Sequence, residues 1–253
     1  MNVFVLPWRF GQKKLGVDKG ALKLMSLLEK KNKNYNFQIF NNNMSNEKYH
    51  EIFFQKKKNI KDNCLVLGGD HSIAIGSVLG SLNSIHKNVG ILWIDAHPDI
   101  NTLKSSKTKN IHGTPLSFIT GIENSWSWTN SLKKLNMNDL NYWGIRDIDY
   151  FEKDIIKKAN IIKNLDKAKE VIDKYDYIHL SLDIDGIDPK YMPSTGTPVS
   201  NGLDLNEVIS ILDYLIISQK NYTIDIVEYN PLLGNKEDKD ITLYNIKKLI
   251  QKF

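Results

Sequence analysis

Short, unbroken apolar runs alternate with amphipathic segments along the chain. The runs fall at residues 1–8, 36–40, 64–67, 89–94, 140–145, 177–182 and 222–227, and their length and branched or aromatic content predict strands. Most of them lack strict apolar and polar alternation, so both faces of the sheet they form must be covered, as in a parallel sheet. Between them, residues 22–29, 73–79, 150–158, 166–174 and 205–217 carry apolar positions at helical spacing. The Lys- and Asn-rich stretches 30–35 and 41–48 read as surface loop. This order predicts an α/β fold of three layers, α/β/α, around a mostly parallel central sheet, with residues 1–253 as a single domain. In such sheets ligands bind beyond the carboxyl ends of the strands.

Acidic and imidazole groups gather at those ends. The run 89–94 leads into Asp95-Ala96-His97-Pro98-Asp99, and 177–182 leads into Asp183-Ile184-Asp185. In extended backbone, alternate side chains share a face, so Asp95, His97 and Asp99 are expected to converge, as are Asp183 and Asp185. Five such groups on neighbouring strand ends repel one another unless cations lie between them, which points to a two-metal site. A third run, 64–67, enters Gly68-Gly69-Asp70-His71-Ser72, where the glycines permit close backbone approach and His71 stands at the mouth of the turn. Mixed oxygen and imidazole donors with carboxylates in excess favour manganese.

Other candidates carry bland readings. His50, His86 and His179 stand outside these motifs and read as core or surface residues; Asp70, Asp147 and Asp188 read as supporting or turn residues. Trp126 and Trp128 read as packing anchors. The pair Gly68-Gly69 is not followed by a lysine at phosphate-loop spacing, which argues against nucleotide binding.

Composition narrows the functional classes. At 253 residues, 41% hydrophobic and 25% charged, the chain is an ordinary globular sequence. Its net charge of +5 comes almost wholly from scattered lysines, since Arg9 and Arg146 are the only arginines, a poor match to a nucleic-acid surface. No segment has the apolar length of a membrane span. The lone Cys64 sits in an apolar run, as expected of a core residue in a reducing compartment, and the amino terminus reads as a strand rather than a leader; cytoplasmic residence is the expectation.

Five motifs, taken in order, resemble the ureohydrolase superfamily, and within it arginase: Gly68-Gly69-Asp70-His71-Ser72, Asp95-Ala96-His97-Pro98-Asp99-Ile100-Asn101, His112-Gly113-Thr114-Pro115, Ser181 through Pro189, and Glu228-Tyr229-Asn230-Pro231. The resemblance spans roughly Gly16 to Gly234 and implies an arginase-like fold and two Mn²⁺ per subunit. It implies that Asp95 and Asp183 bridge the ions, that His71 and Asp99 complete one, and that His97 and Asp185 complete the other. A metal-bridging hydroxide would then cleave the guanidinium group of L-arginine to L-ornithine and urea. Asp99 would relay a proton to the leaving amine, His112 would shuttle protons at the cleft, and Glu228 would pair with the planar guanidinium. Substrate contacts would come from Asn101, Thr108 and Asn110 toward the carboxylate, Asp149 toward the α-amino group, and Thr197.

The sequence also departs from the family pattern. Thr108 replaces a usual serine, and Lys109 stands where glycine is general, so it would either strengthen carboxylate binding or block the loop. The chain is short before Cys64 and ends soon after Gly234, without the extension that ties some arginases into trimers; a homo-oligomer is possible. Alternative readings are an agmatinase, a guanidino-acid hydrolase, a formiminoglutamase, a non-catalytic metal-binding homologue, or a one-metal deacetylase-like amide hydrolase. Agmatine has no carboxylate, so the carboxylate-directed groups favour arginine.

Overall fold

A computed structural model of the chain describes residues 1–31, 34–41, 43–85 and 88–253. Among these residues eight strands form one sheet: β1 (Asn2–Leu6), β2 (Asn36–Ile39), β3 (Cys64–Gly68), β4 (Val89–Ile94), β5 (Leu140–Trp143), β6 (Asn160–Ile162), β7 (Tyr177–Asp183) and β8 (Asn221–Val227). Their spatial order is β2-β1-β3-β8-β7-β4-β5-β6, and every pairing is parallel. The sheet is therefore wholly parallel rather than mostly so.

Among the described residues seven α-helices cover it: α1 (Val17–Glu29), α2 (Asn46–Lys57), α3 (Ala74–Leu82), α4 (Pro115–Thr120), α5 (Leu165–Lys174), α6 (Leu205–Ile217) and α7 (Lys236–Ile250). Strand side chains alternate between two cores. Val3, Val5, Leu65, Leu67, Leu92 and Ile94 pack with α1, α5, α6 and α7. The opposite face splits in two, with Ile91, Trp93 and Tyr142 under α3 and α4, and Phe4, Leu6, Cys64 and Val66 under α2. The three-layer expectation holds, with Cys64 in the core and both tryptophans packed by ring contacts.

Several local expectations do not hold. Residues 150–158 form turns that end in a 3-10 turn, Ile156–Lys158, instead of a helix. Glu152 explains this: its carboxylate accepts the N–H groups of Ile100 at 3.0 Å and Asp149 at 3.0 Å, tying the segment to a neighbouring loop. The polar stretch 41–48 is not all loop, because Ser45 caps α2 through the N–H of Lys48. The helix is held by Tyr49, Phe53 and Phe54, which lie beyond the polar stretch. Neither α7 nor the edge strand β6 was anticipated; α7 opens with a reciprocal cap between Asn235 and Asp238. His179 is a satisfied core residue, bonded to Ser81 and Asp225, and Asp188 shapes a turn by accepting from Lys190 and Gly202. His86 lies outside the described residues. Among the described residues no helix is long and apolar enough to cross a membrane.

The register sets the site. Leu182 pairs with both Ile94 and Ile226, and Ile226 with Leu67, so β3, β8, β7 and β4 end at one level. Asp183 closes β7, while His71, Asp95 and Glu228 follow within a few residues of the other three strand ends. Gly69 is needed in this crowded rim, since a Cβ there would meet the Trp8 carbonyl.

Candidate metal centre

His71 opens a 3-10 turn capped by Asp70 and is fully buried against the Trp93 indole, with ring centroids 4.2 Å apart. Its Nε2 shares a 2.8 Å hydrogen bond with Ser181 Oγ. Its Nδ1 faces Asp95 Oδ2 at 3.1 Å, Asp99 Oδ2 at 3.1 Å and Asp183 Oδ2 at 3.3 Å, yet has no hydrogen-bond partner. His97 Nδ1 lies 3.4 Å from Asp95 Oδ1 and 3.2 Å from Asp185 Oδ2. Two donor groups result, His71 with Asp95 and Asp99, and Asp95 with His97 and Asp185, and either could hold a metal ion. Asp95 belongs to both and turns one oxygen to each.

The carboxylates are fixed from behind. Trp93 Nε1 donates to Asp95 Oδ2 at 2.9 Å, and the His97 N–H to Asp95 Oδ1 at 2.7 Å. The Asp185 N–H donates to Asp183 Oδ1 at 2.8 Å, leaving Oδ2 for the cluster. Asp185 accepts from the Ala96 N–H and from Thr197 Oγ1. Such outer hydrogen bonds hold donors in one orientation.

Convergence is not a matter of strand alternation. β4 stops at Ile94, Asp99 takes φ 50°, and Asp185 lies in a 3-10 turn, Ile184–Gly186. Asp99 and Glu228, at φ 64°, both occupy the left-handed region that costs a non-glycine residue energy, a recurrent feature of functional sites. The residues expected to converge do so, but turns past the strand ends bring them together, not the pleat of the strands.

Charge in the cluster is unbalanced. Four carboxylates face two imidazoles in a buried site. Burial and the charges of Asp185 and Asp95 push Asp183 well above the usual carboxyl range, and burial with Asp95 pushes Asp99 up to about 7. Asp95 is held below the usual range, because His71 and His97 outweigh its burial. His97 is pushed up to about 12, as Asp185 and Asp95 overcome the burial that opposes its charge. The upward shifts at Asp99, Asp183 and His97 mark a site that gains from added positive charge, and the unpartnered His71 Nδ1 among hard oxygen donors fits a divalent metal.

A cavity of about 300 Å³ opens beside the cluster, walled in part by His97, Asp99, Asn101, Thr108, His112, Asp149, Asp183 and Thr197. Asn110 is not in its wall; its N–H donates to Thr108 Oγ1. Glu228 lies buried behind His112, with Oε1 3.1 Å from His112 Nδ1 and 2.9 Å from the His71 N–H, and Oε2 accepting from Gln12 Nε2 at 2.7 Å. His112 is pushed up to about 9: burial opposes its charge, but Glu228 prevails. Lys109 neither blocks the cavity nor enters it, for its Nζ donates to the Leu103 and Lys104 carbonyls. Its φ of 61° accounts for the glycine general there.

Sequence reasoning missed Gln12, Lys107, Glu152 and Ser181. Glu152 is buried in the cavity wall and pushed up to about 7, mainly by burial; its spacing of three from Asp149 was a usable signal. Ser181 lies within the motif that runs to Pro189, but no local signal marks it as the partner of His71. Gln12 carries no local signal.

The chain matches the Arginase family over residues 10–253. It is 31% identical to an arginase of Entamoeba histolytica over 99% of this chain and 96% of that protein, and 34% identical to Arginase-1 of Sus scrofa over 96% and 88%. Among solved structures, the Entamoeba histolytica arginase in complex with L-ornithine superposes with a TM-score of 0.84 at 30% identity, covering 99% of this chain and 97% of that one. The arginase of Bacillus cereus superposes with a TM-score of 0.85 at 27% identity, covering 98% and 97%. An all-parallel eight-stranded sheet, a rim of histidines and aspartates, and family identity across nearly the full length agree: this chain belongs to the arginase family of ureohydrolases, hydrolases of a guanidino carbon–nitrogen bond.

Proposed function

We propose that this chain hydrolyses L-arginine to L-ornithine and urea at a centre of two Mn²⁺ ions. The observation that carries the reading is the division of Asp95, one oxygen toward His71 and the other toward His97, between two donor groups. Asp183 would be the second shared ligand, with Asp99 on the His71 side and Asp185 on the His97 side. When bound, a pair of divalent cations would lower the pKa of solvent water toward neutrality and supply a nucleophile.

The chain's own groups would do the rest. As a ligand through Nδ1, His71 keeps its proton on Nε2 and donates it to Ser181. His112, protonated at neutral pH beside Glu228, is suited to hold and return a proton at the cleft, and Asp99 to pass one to the leaving amine. Glu228, fixed by three donors, would present its charge to the planar guanidinium. In the cavity wall Asn101, Thr108 and Asp149, with Asn110 on the same loop as Thr108, would receive the amino-acid portion, and Thr197, whose hydroxyl donates to Asp185, would meet the substrate beside the metal donors. A single continuous sheet supports one domain over residues 1–253.

The test is release of urea and ornithine from L-arginine after incubation with manganese, with agmatine and 4-guanidinobutanoate in parallel and metal counted per chain. Preference for arginine with two manganese ions per chain is expected. Faster turnover of agmatine, or full metal loading without urea release from arginine, would refute the reading.

A further inference from the structure

The cavity is walled by five carboxyl groups, those of Asp99, Asp147, Asp149, Glu152 and Asp183, and among its described lining residues Lys107 is the only lysine or arginine. Asp147 and Asp149 are the exposed carboxylates among these, so a carboxylate-bearing substrate that passes them has Lys107 as the one lysine to pair with, apart from the histidines and any bound metal. The side chain of Lys107 is 81% exposed and that of Asp149 42%, and Nζ lies 3.1 Å from Asp149 Oδ1. The other Asp149 oxygen accepts from Asn101 Nδ2 at 3.2 Å, and Asn101 Oδ1 in turn accepts from Ser105 Oγ at 2.9 Å. The group read above as the receptor of an α-ammonium is therefore already paired in the free protein. Lys109, two residues on, is committed to backbone carbonyls and cannot take this role.

We propose that Lys107 and Asp149 act as a two-charge clamp specific for the zwitterionic end of a guanidino α-amino acid. The exposed pair is weak enough to be opened by a ligand. A zwitterion that enters between the two exchanges one ion pair for two, its carboxylate on Lys107 and its ammonium on Asp149. A substrate with the ammonium alone competes with Lys107 for Asp149 and leaves the lysine unpaired; one with the carboxylate alone leaves Asp149 unpaired. Specificity thus comes from the cost of stranding a charge as well as from the ion pairs that the correct substrate forms. The inference rests on the arginine reading and assigns to it a residue that the sequence reading left unmarked.

The experiment compares the manganese-loaded parent, Lys107→Ala and Lys107→Arg, using urea release from L-arginine and agmatine and calorimetric binding of L-ornithine. For Lys107→Ala, kcat/KM for arginine should fall about fivefold and ornithine should bind about fivefold more weakly, the size expected for an exposed ion pair. Agmatine turnover should hold or rise, so that the preference for arginine narrows, and Lys107→Arg should restore it. An unchanged preference, or arginine turnover that improves in Lys107→Ala, would overturn the clamp. If the parent releases no urea from arginine, the function reading fails on its own. Ornithine binding then decides the clamp: weaker binding in Lys107→Ala supports it and equal binding overturns it.

Discussion

Asp183→Asn separates two roles that a buried carboxylate can play. In the metal-free protein Asp183 lies among Asp95, Asp185 and His71, and burial with like charge raises its pKa well above the usual carboxyl range, which favours its neutral form. Asparagine copies that neutral shape, and its oxygen can still accept the Asp185 N–H that now reaches Oδ1. The metal-free variant should therefore melt within about 2 °C of the parent or above it, a difference of about 1 kcal/mol in a chain of this size. Metal-dependent stability should behave differently. An ion held only by the folded state at a hundred times its Kd adds about 2.7 kcal/mol. At about 2 °C per kcal/mol, that is about 5 °C for one ion and about 10 °C for two. If Asp183 serves both ions, Asp183→Asn should lose most of this rise and most of the bound manganese. Scanning calorimetry across a manganese titration, with metal counted after gel filtration, reads both quantities. A parent-like rise with full metal content would refute the ligand assignment. A metal-free variant several degrees less stable would refute the claim that Asp183 is strained by its neighbours.

The same cluster sets a pH dependence. A carboxyl with a raised folded pKa contributes stability below its ordinary 3.8 that is lost as pH rises through the folded value, which for Asp99 is about 7. The Asp99 contribution should thus shrink as pH rises between those limits, so the stability difference between the metal-free parent and Asp99→Asn should change across that window, and saturating manganese should flatten the change. Glu228→Gln removes the charge that holds His112 up at about 9, so the alkaline limb of the kcat profile should move toward the ordinary 6.5; an unmoved limb would exclude His112 as the proton carrier. Asp149→Ala should raise the arginine KM about tenfold, in keeping with the loss of a charge-assisted contact, and leave manganese content unchanged. His50 is buried with both ring nitrogens unpartnered and its pKa pushed down to about 3 by burial. Its folded pKa lies below the ordinary 6.5, so stability falls as pH drops through that window, by about 2 to 3 kcal/mol at pH 4.5. In urea melts, His50→Phe should gain about 2 to 3 kcal/mol relative to the parent between pH 7 and 4.5, and a constant difference would show that His50 does not take up the proton.

The parallel sheet was legible because its strands are buried on both faces and so appear as unbroken apolar runs. The six proposed metal ligands were legible because carboxylate and imidazole side chains crowd into two short motifs and one turn, a density that only a counter-charge makes tolerable. Several elements were not legible. The segment 150–158 has helical spacing, but Glu152 spends its carboxylate on two backbone N–H groups, and that long-range tie defeats the local preference. Only the shared level at which four adjacent strands end brings His71, from one side of the sheet, onto Asp95 and Asp183. The left-handed turns at Asp99 and Glu228, the Gln12 amide on Glu228 and the Lys107–Asp149 pair likewise depend on segments remote in sequence. Periodicity and local chemistry reside in neighbouring residues and can be read from them. Distances between groups dozens of residues apart are set by packing and register, and those belong to the tertiary structure alone.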